Sequence, residues 1–406
     1  MAATFVYKVR DRQGKLLEGT LEADNQALVA EKLRQMGYVP VNITERRRNA
    51  LQLEVKIPGL TDRVKLRELS VFARQFSTMI NAGLSLLRSL AILTEQTENK
   101  ELARIIGLVR LDVEKGASLS AALARHPKIF NRLFVSMVRA GETAGTLDDT
   151  LLRLADTIEK QVELRRRVKS AMTYPVVVGV LVVLIVTGMI LFVVPMFEDM
   201  YQSLGGTLPG PTRLLIRISE VMRSVWYAVA ALQIAALVGF KRWIATDKGR
   251  GQWDAAKLRV PVFGPLVHKT ALARFARTLS SLVRSGVPIL ESLEIVADTC
   301  GNEVMARAIR NAQESVKGGD ALGTPLQSHA IFPPMVAQMI VVGEETGALD
   351  DMLGKIADFY DAEVTATVDA LTSLIEPLLI VVMGGAVGGM VVALYLPMFN
   401  IVNLIQ

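Results

Sequence analysis

The residues best placed to do chemistry form one constellation, written twice. GETAGTLDD begins at Gly141 and GEETGALDD at Gly343. Gly141, Glu142, Gly145, Asp148 and Asp149 therefore recur as Gly343, Glu344, Gly347, Asp350 and Asp351. Two readings follow from the residue types. On the first, the glycines allow a tight turn and the aspartates open the next helix, where each stabilises the positive end of the dipole by about 0.3–1 kcal/mol. Thr146 with Asp149 then adds a capping box, which Ala348 breaks in the second copy. On the second, Glu142 and Glu344 present charge to a protein partner, or bind a cation with the aspartates. Two carboxylates on one turn are an incomplete oxygen cage.

Little else offers chemistry. The segment from Gly318 to Pro325 has GxxxxG spacing but lacks the lysine that reaches nucleotide phosphates, so it reads as a turn. No GxSxG, HExxH or GxGxxG occurs. His126 and His329 match each other and precede Phe-containing helices, which suits a turn or packing role. Cys300 is the lone cysteine, which excludes an intrachain disulfide and any CxxC site, and three histidines leave little for zinc. No cofactor, no metal and no catalytic group are expected. The basic cluster Arg165, Arg166, Arg167 and Lys169 is what membrane orientation requires, with attraction to anionic lipid or an acidic partner as an addition. Gly384, Gly385, Gly388 and Gly389 make two overlapping GxxxG patterns, suited to packing inside the chain or between subunits. Glu376, at the headgroup edge, is not read as a proton site.

The elements that must position these residues are membrane-bound. The chain has 406 residues, 51% apolar and 21% charged, with a net charge of +6. That excludes disordered and collagen-like chains, and the diffuse positive excess does not suit nucleic acid. Residues 170–197 and 377–406 are charge-free runs of 28 and 30 residues, and 224–240 is one of 17. A span needs about 20 apolar residues. Transmembrane helices are expected over 170–197, 224–243 and 374–399. Arg and Lys before the first and after the second place residues 1–169 and 241–372 in the cytoplasm, and the 198–223 loop and the C-terminus outside. No signal-peptide-length apolar stretch opens the chain, so internal spans carry it into the membrane.

Self-comparison exposes a duplication. FARQFSTMINAGLSLLRSL at Phe72 aligns with FARTLSSLVRSGVPILESL at Phe275, an offset of 203. Arg74 matches Arg277, Asn99 matches Asn302 and His126 matches His329; after a one-residue slip, Met137 matches Met339 and Pro175 matches Pro377. Within each copy the periodicity is helical, with Leu69, Phe72, Phe76, Met79 and Ile80 on one face. The fold expected is mainly α and polytopic. It comprises a ββαβ module over 1–45, a linker over 46–65, helical bundles over 66–169 and 269–372, and a span after each.

Together these features resemble the inner-membrane platform family of type IV pilus and type II secretion machines, PilC and GspF. The resemblance covers essentially the whole chain, from FVYKVRDRQGKLLEGTLEA through both GE-x-x-G-x-LDD turns to SAMTYP and EPLLIVVMGG at the span entries. It implies a non-enzymatic, homo-oligomeric platform in the bacterial inner membrane. A cytoplasmic hexameric ATPase would dock on the bundles, and pilins or pseudopilins would move from the bilayer into a filament beside other machine components. GGTLPGPTRLLI at Gly205 resembles the pilus branch more than the secretion branch. The motor contact is expected at Glu142 and Glu344 with their flanking glycines and aspartates, or else at Arg165, Arg166 and Arg167. A carrier or membrane enzyme would need paired ionisable residues at mid-bilayer, and none is present; a membrane receptor or scaffold is the remaining alternative.

Overall fold

The computed structural model describes residues 3–10, 16–23, 26–45, 64–197, 210–261 and 263–402. Two compact units divide the chain, Met1–Arg63 and Val64–Gln406. Most of the expected 46–65 linker lies outside the described residues, as does the 198–209 part of the external loop.

The first unit contains β1 (Ala3–Arg10), β2 (Leu16–Ala23), α1 (Gln26–Gln35) and β3 (Val39–Glu45). Its antiparallel sheet has the order β2-β1-β3. β3 is an edge strand, which accommodates Pro40, and the register shifts beside it between Lys8 and Val9. Val9 and Ala23 of the sheet bury against Val29 and Leu33, one face of α1.

The second unit holds both copies of the duplication. Copy one runs α2 (Leu66–Asn81), α3 (Leu86–Gln96), α4 (Lys100–Glu114), α5 (Leu119–Ala124), α6 (Arg132–Ala144) and α7 (Leu147–Gly188). α7 passes through one π-helical turn, Met189–Val193, and continues helically to Phe197. Copy two runs α10 (Phe263–Arg284), α11 (Ile289–Thr299), α12 (Glu303–Lys317), α13 (Gly323–Gln327), α14 (Pro334–Thr346) and α15 (Leu349–Val402). Between them lie α8 (Gly210–Ile244) and α9 (Asp247–Arg259). Gly83 and Gly286, at φ +82° and +78°, stop α2 and α10 where glycine alone is unstrained. Asn99 and Asn302 each accept two backbone N–H bonds and start α4 and α12. One hydrophobic core joins the copies, with Phe72, Phe76, Phe130 and Phe134 clustered in the first and Phe275 against Phe332 in the second.

α7 and α15 are long and apolar enough to cross a membrane. The 198–223 segment differs from the loop expected, because α8 begins at Gly210. Thr212, Ile216 and Ser219 recur at helical spacing and bury against the far ends of both long helices. The Thr212 hydroxyl donates to the Ala393 carbonyl, and that of Ser219 to the Ile190 carbonyl at 2.7 Å. Ile190 lies in the π turn, where the helical ladder is perturbed and a carbonyl is available. α8 leaves helical geometry at Val225, with φ −121° and ψ 17°. α9 has no counterpart among the expected elements: its polar composition hides it, and only its docking on α10 and α12 accounts for it.

Candidate functional site

The duplicated turn is a joint between two helices. α6 ends at Gly145 and α14 at Gly347, with φ of +72° and +70°. The first glycine of each motif permits close approach. A Cβ on Gly141 would sit 2.8 Å from Thr150, and one on Gly343 would sit 3.0 Å from the Leu349 backbone. Asp148 and Asp149 occupy the first turn of α7, and Asp350 and Asp351 that of α15, as the spacing predicts. The Thr146 capping box does not form: the Thr146 side chain makes no cap bond, and its N–H donates instead to the Gly141 carbonyl at 2.9 Å.

Against the expectation that Glu142 and Glu344 present charge to a partner or bind a cation, both carboxylates are half-buried and engage neighbouring helices. Glu142 accepts from the backbone N–H groups of Leu119 and, at 3.0 Å, Ser120. Glu344 accepts from Leu322 at 2.6 Å and Gly323 at 2.9 Å. These N–H groups open α5 and α13 and have no partner within their own helices. Each carboxylate therefore caps a neighbouring helix, its charge facing the positive end of that helix.

A second duplicated device joins α2 to α7 and α10 to α15. Arg74 donates through Nε to Glu159 at 2.7 Å and pairs through Nη2 with both Glu159 and Asp156. Arg277 donates through Nη2 alone, at 2.7 Å, to Asp358 and to Asp361. Asp361 is one methylene shorter than Glu159, and the buried Nε of Arg277 has no partner among the described residues. Donation to the Glu159 and Asp156 carboxylates raises Arg74 above the ordinary arginine range, and the same bond holds Glu159 below the usual carboxylate range. Burial works against the charge of Arg277, but its two carboxylates outweigh that and the net shift is upward. In the sequence Arg74 and Arg277 match across the duplication, and a charge repeated beside an apolar face is the one signal of this device there.

The remaining candidates are dispersed. Arg167 donates to Glu163 at 2.6 Å and to Thr365 at 3.1 Å, whereas Arg165 and Arg166 are exposed and form no ion pair among the described residues. His126 and His329 accept turn bonds through their carbonyls, from Phe130 at 3.0 Å and Phe332 at 2.9 Å. Cys300 is buried, and burial raises its thiol pKa. Among the described residues nothing lies within 4 Å of a Cβ added at Gly384, Gly385, Gly388 or Gly389. Among the described residues no group of His, Cys, Asp or Glu could hold a metal. A cleft of about 820 Å³ between α7, α10 and α15 mixes cations and carboxylates such as Arg277, Arg284, Asp156 and Asp351.

Comparison with known proteins divides the chain at the same places. The family described as type II secretion system (T2SS), protein F matches residues 72–195 and 275–397, one match per copy. The N-terminal domain of that protein F matches residues 1–44. The type IV pilus assembly protein PilC of Thermus thermophilus is 46% identical over 98% of both chains. PilC of Myxococcus xanthus is 40% identical over 100% of this chain and 96% of its own. Type II secretion system protein F of Vibrio cholerae is 32% identical over the full length of both. The chain belongs to the protein F family of type IV pilus assembly and type II secretion proteins.

Proposed function

We propose that this chain is the inner-membrane platform of a type IV pilus assembly machine, coupling a cytoplasmic hexameric ATPase to the movement of pilins from the bilayer into a filament. The observation that carries this reading is the continuity of α7 and α15. Each begins in a duplicated turn, crosses its bundle core and runs on without a loop into an apolar stretch. A torque or push on either bundle is thereby delivered to the membrane through a hydrogen-bonded rod. Platform function needs such a rod and no catalytic centre.

The third span of the proposal is α8. Its first half packs beside Ile190, Val194 and Met390, at the far ends of α7 and α15. Its end leads into α9, which docks on α10 and α12 of the second bundle. A helix joining those two places runs antiparallel to α7 and α15 over the same apolar depth. The topology supported is cytoplasmic bundles with residues 198–209 and the C-terminus outside.

With Glu142 and Glu344 engaged internally, the motor contact is assigned to the groups that remain outward: Asp148 and Asp149 at the start of α7, and Arg165 and Arg166 nearer the membrane. A type II secretion platform is the second reading, favoured by the protein F relatives. Purification from mild detergent tests the proposal. A hexameric ATPase and pilins co-purifying supports the pilus reading, and pseudopilins support the secretion reading. Recovery of other machine components without any ATPase overturns motor coupling.

A further inference from the structure

α9 joins the third proposed span to the second bundle and is held closely at both contacts. A Cβ on Gly249 would collide with the Trp243 carbonyl, so glycine is what lets α9 turn back so tightly on the end of α8. On the bundle side the buried Asp254 accepts from the Glu303 N–H at 2.8 Å and pairs with Lys257 at 2.5 Å. The depth of α9 follows from its two ends. The Trp253 ring meets Phe240 edge-on, with centroids 5.0 Å apart, and Phe240 closes the apolar run of α8. Beyond Arg259 the chain enters α10, whose Leu266 clusters with Leu164, Val364 and Leu371, a turn or two ahead of the apolar stretches of α7 and α15. A helix whose two ends share the depth at which the spans enter lies along the membrane surface, here for about 20 Å.

The exposed side of α9 has the chemistry of a bilayer interface. Residues 241–259 carry six cations against two carboxylates, Asp247 and the buried Asp254. Lys241, Arg242, Lys248, Arg250 and Arg259 are exposed and form no ion pair among the described residues. Arg250, Trp253 and Lys257 recur three and four positions apart, so the ring and two cations share one face. Trp253 stays 37% exposed after its contact with Phe240, and Trp243 beside it is 42% exposed. Tryptophan collects at headgroup depth because its ring is apolar and its N–H polar, and cations there are drawn to anionic lipid.

We propose that α9 is an in-plane membrane anchor: Trp253 enters the headgroup layer of the cytoplasmic leaflet, and Arg250 with Lys241 and Arg242 holds anionic phospholipid headgroups around it. The inference rests on the reading of α8 as a span. Lys248 and Arg259, near the two ends of α9, add to the positive potential that draws such lipids. The bond from the Glu303 N–H to Asp254 then ties the start of α12 to the membrane surface. Copy two is thus held to the bilayer at a second place, apart from the continuous helix α15.

The full chain reconstituted in phospholipid vesicles tests the anchor. Trp226→Phe with Trp243→Phe leaves Trp253 as the sole tryptophan. Lipid brominated near the carbonyl end of its chains should quench Trp253 emission, and aqueous acrylamide should not. At equal mole fraction, brominated phosphatidylglycerol should quench more strongly than brominated phosphatidylcholine. Arg242→Gln with Arg250→Gln should abolish that preference and leave quenching by brominated phosphatidylcholine in place. Labelling of Gly205→Cys by an impermeant maleimide in right-side-out membrane vesicles tests the span separately; Cys300 is buried and supplies little background. Labelling at residue 205, with Trp253 reached by acrylamide and not by brominated lipid, overturns the anchor alone and leaves α9 to a soluble partner. Absence of labelling overturns the span reading on which the anchor rests. Equal quenching by the two headgroups, or a preference that survives in the double Gln variant, overturns the assignment of anionic lipid.

Discussion

Copies one and two share a backbone joint and differ in what they do with its aspartates. In copy two Arg284 donates through Nε to Asp350 at 3.1 Å and also pairs with Asp351, tying α10 to the start of α15. Asn81 stands at the position of Arg284 in copy one, and Asp148 and Asp149 are exposed and form no ion pair among the described residues. The glycines and the inward glutamate are used identically in both. Duplication has kept the parts of the motif that make the turn and released the parts that face outward, so copy one offers a negative edge where copy two is neutralised.

The largest expected effect tests the shared part. Removing an inward carboxylate strands two backbone N–H groups, and bonds to a charged group contribute about 1.5–3 kcal/mol each. Glu344→Ala should destabilise by about 3 kcal/mol, the low end of two such bonds, because Glu344 is only half-buried. Glu142→Ala should cost less, because Ser118 also accepts from the Ala121 N–H at 3.2 Å and α13 has no such side-chain cap. Urea midpoints in detergent check the order; equal losses would remove the difference assigned to Ser118.

The arginine forks come next. Asp361→Glu restores the longer side chain of copy one and gives Nε of Arg277 a partner, which should stabilise by about 1 kcal/mol. The converse change, Glu159→Asp, should cost a similar amount. Thermal unfolding of the two variants measures both, and a loss of stability in Asp361→Glu would contradict the account of the unpaired Nε.

A pH series sharpens the same pair. Glu159 has a depressed folded pKa, so its contribution is complete above the ordinary glutamate value of about 4.3 and is lost as pH falls through the lower folded value. The stability gap between wild type and Arg74→Met should therefore be widest near neutrality and close in acid. A gap unchanged at pH 3 would mean that Arg74 acts through packing alone.

The smallest effect on folding falls on the outward pair. Asp148→Asn with Asp149→Asn should change stability by no more than about 1 kcal/mol, as helix-terminal charges do. It should nevertheless weaken ATPase binding and flatten its dependence on salt, because exposed charges act through screened attraction. Asp350→Asn with Asp351→Asn, which releases Arg284, should leave binding nearly unchanged. Equal binding losses in both pairs would erase the distinction between the copies.

Much of this protein is legible along the chain. The apolar runs at 170–197 and 377–402 determine where α7 and α15 leave the bundles, because hydrocarbon length and residue hydrophobicity are local quantities. Gly83, Gly145 and their counterparts mark helix ends, because only glycine takes positive φ freely. The 203-residue offset determines that the bundle is built twice. What a side chain touches across the bundle is not local. Glu142 looks like a free charge until α5 is seen to bring the Leu119 and Ser120 N–H groups, over 20 positions earlier, under its carboxylate. Arg74 needs α7 beside it before Asp156 and Glu159 become partners 82 and 85 positions away. The polar helix α9 and the early start of α8 escape notice for the same reason: propensity is weak there, and docking on other elements decides. Spacing determines which groups share a turn, and only the packed core determines which of them still face outward.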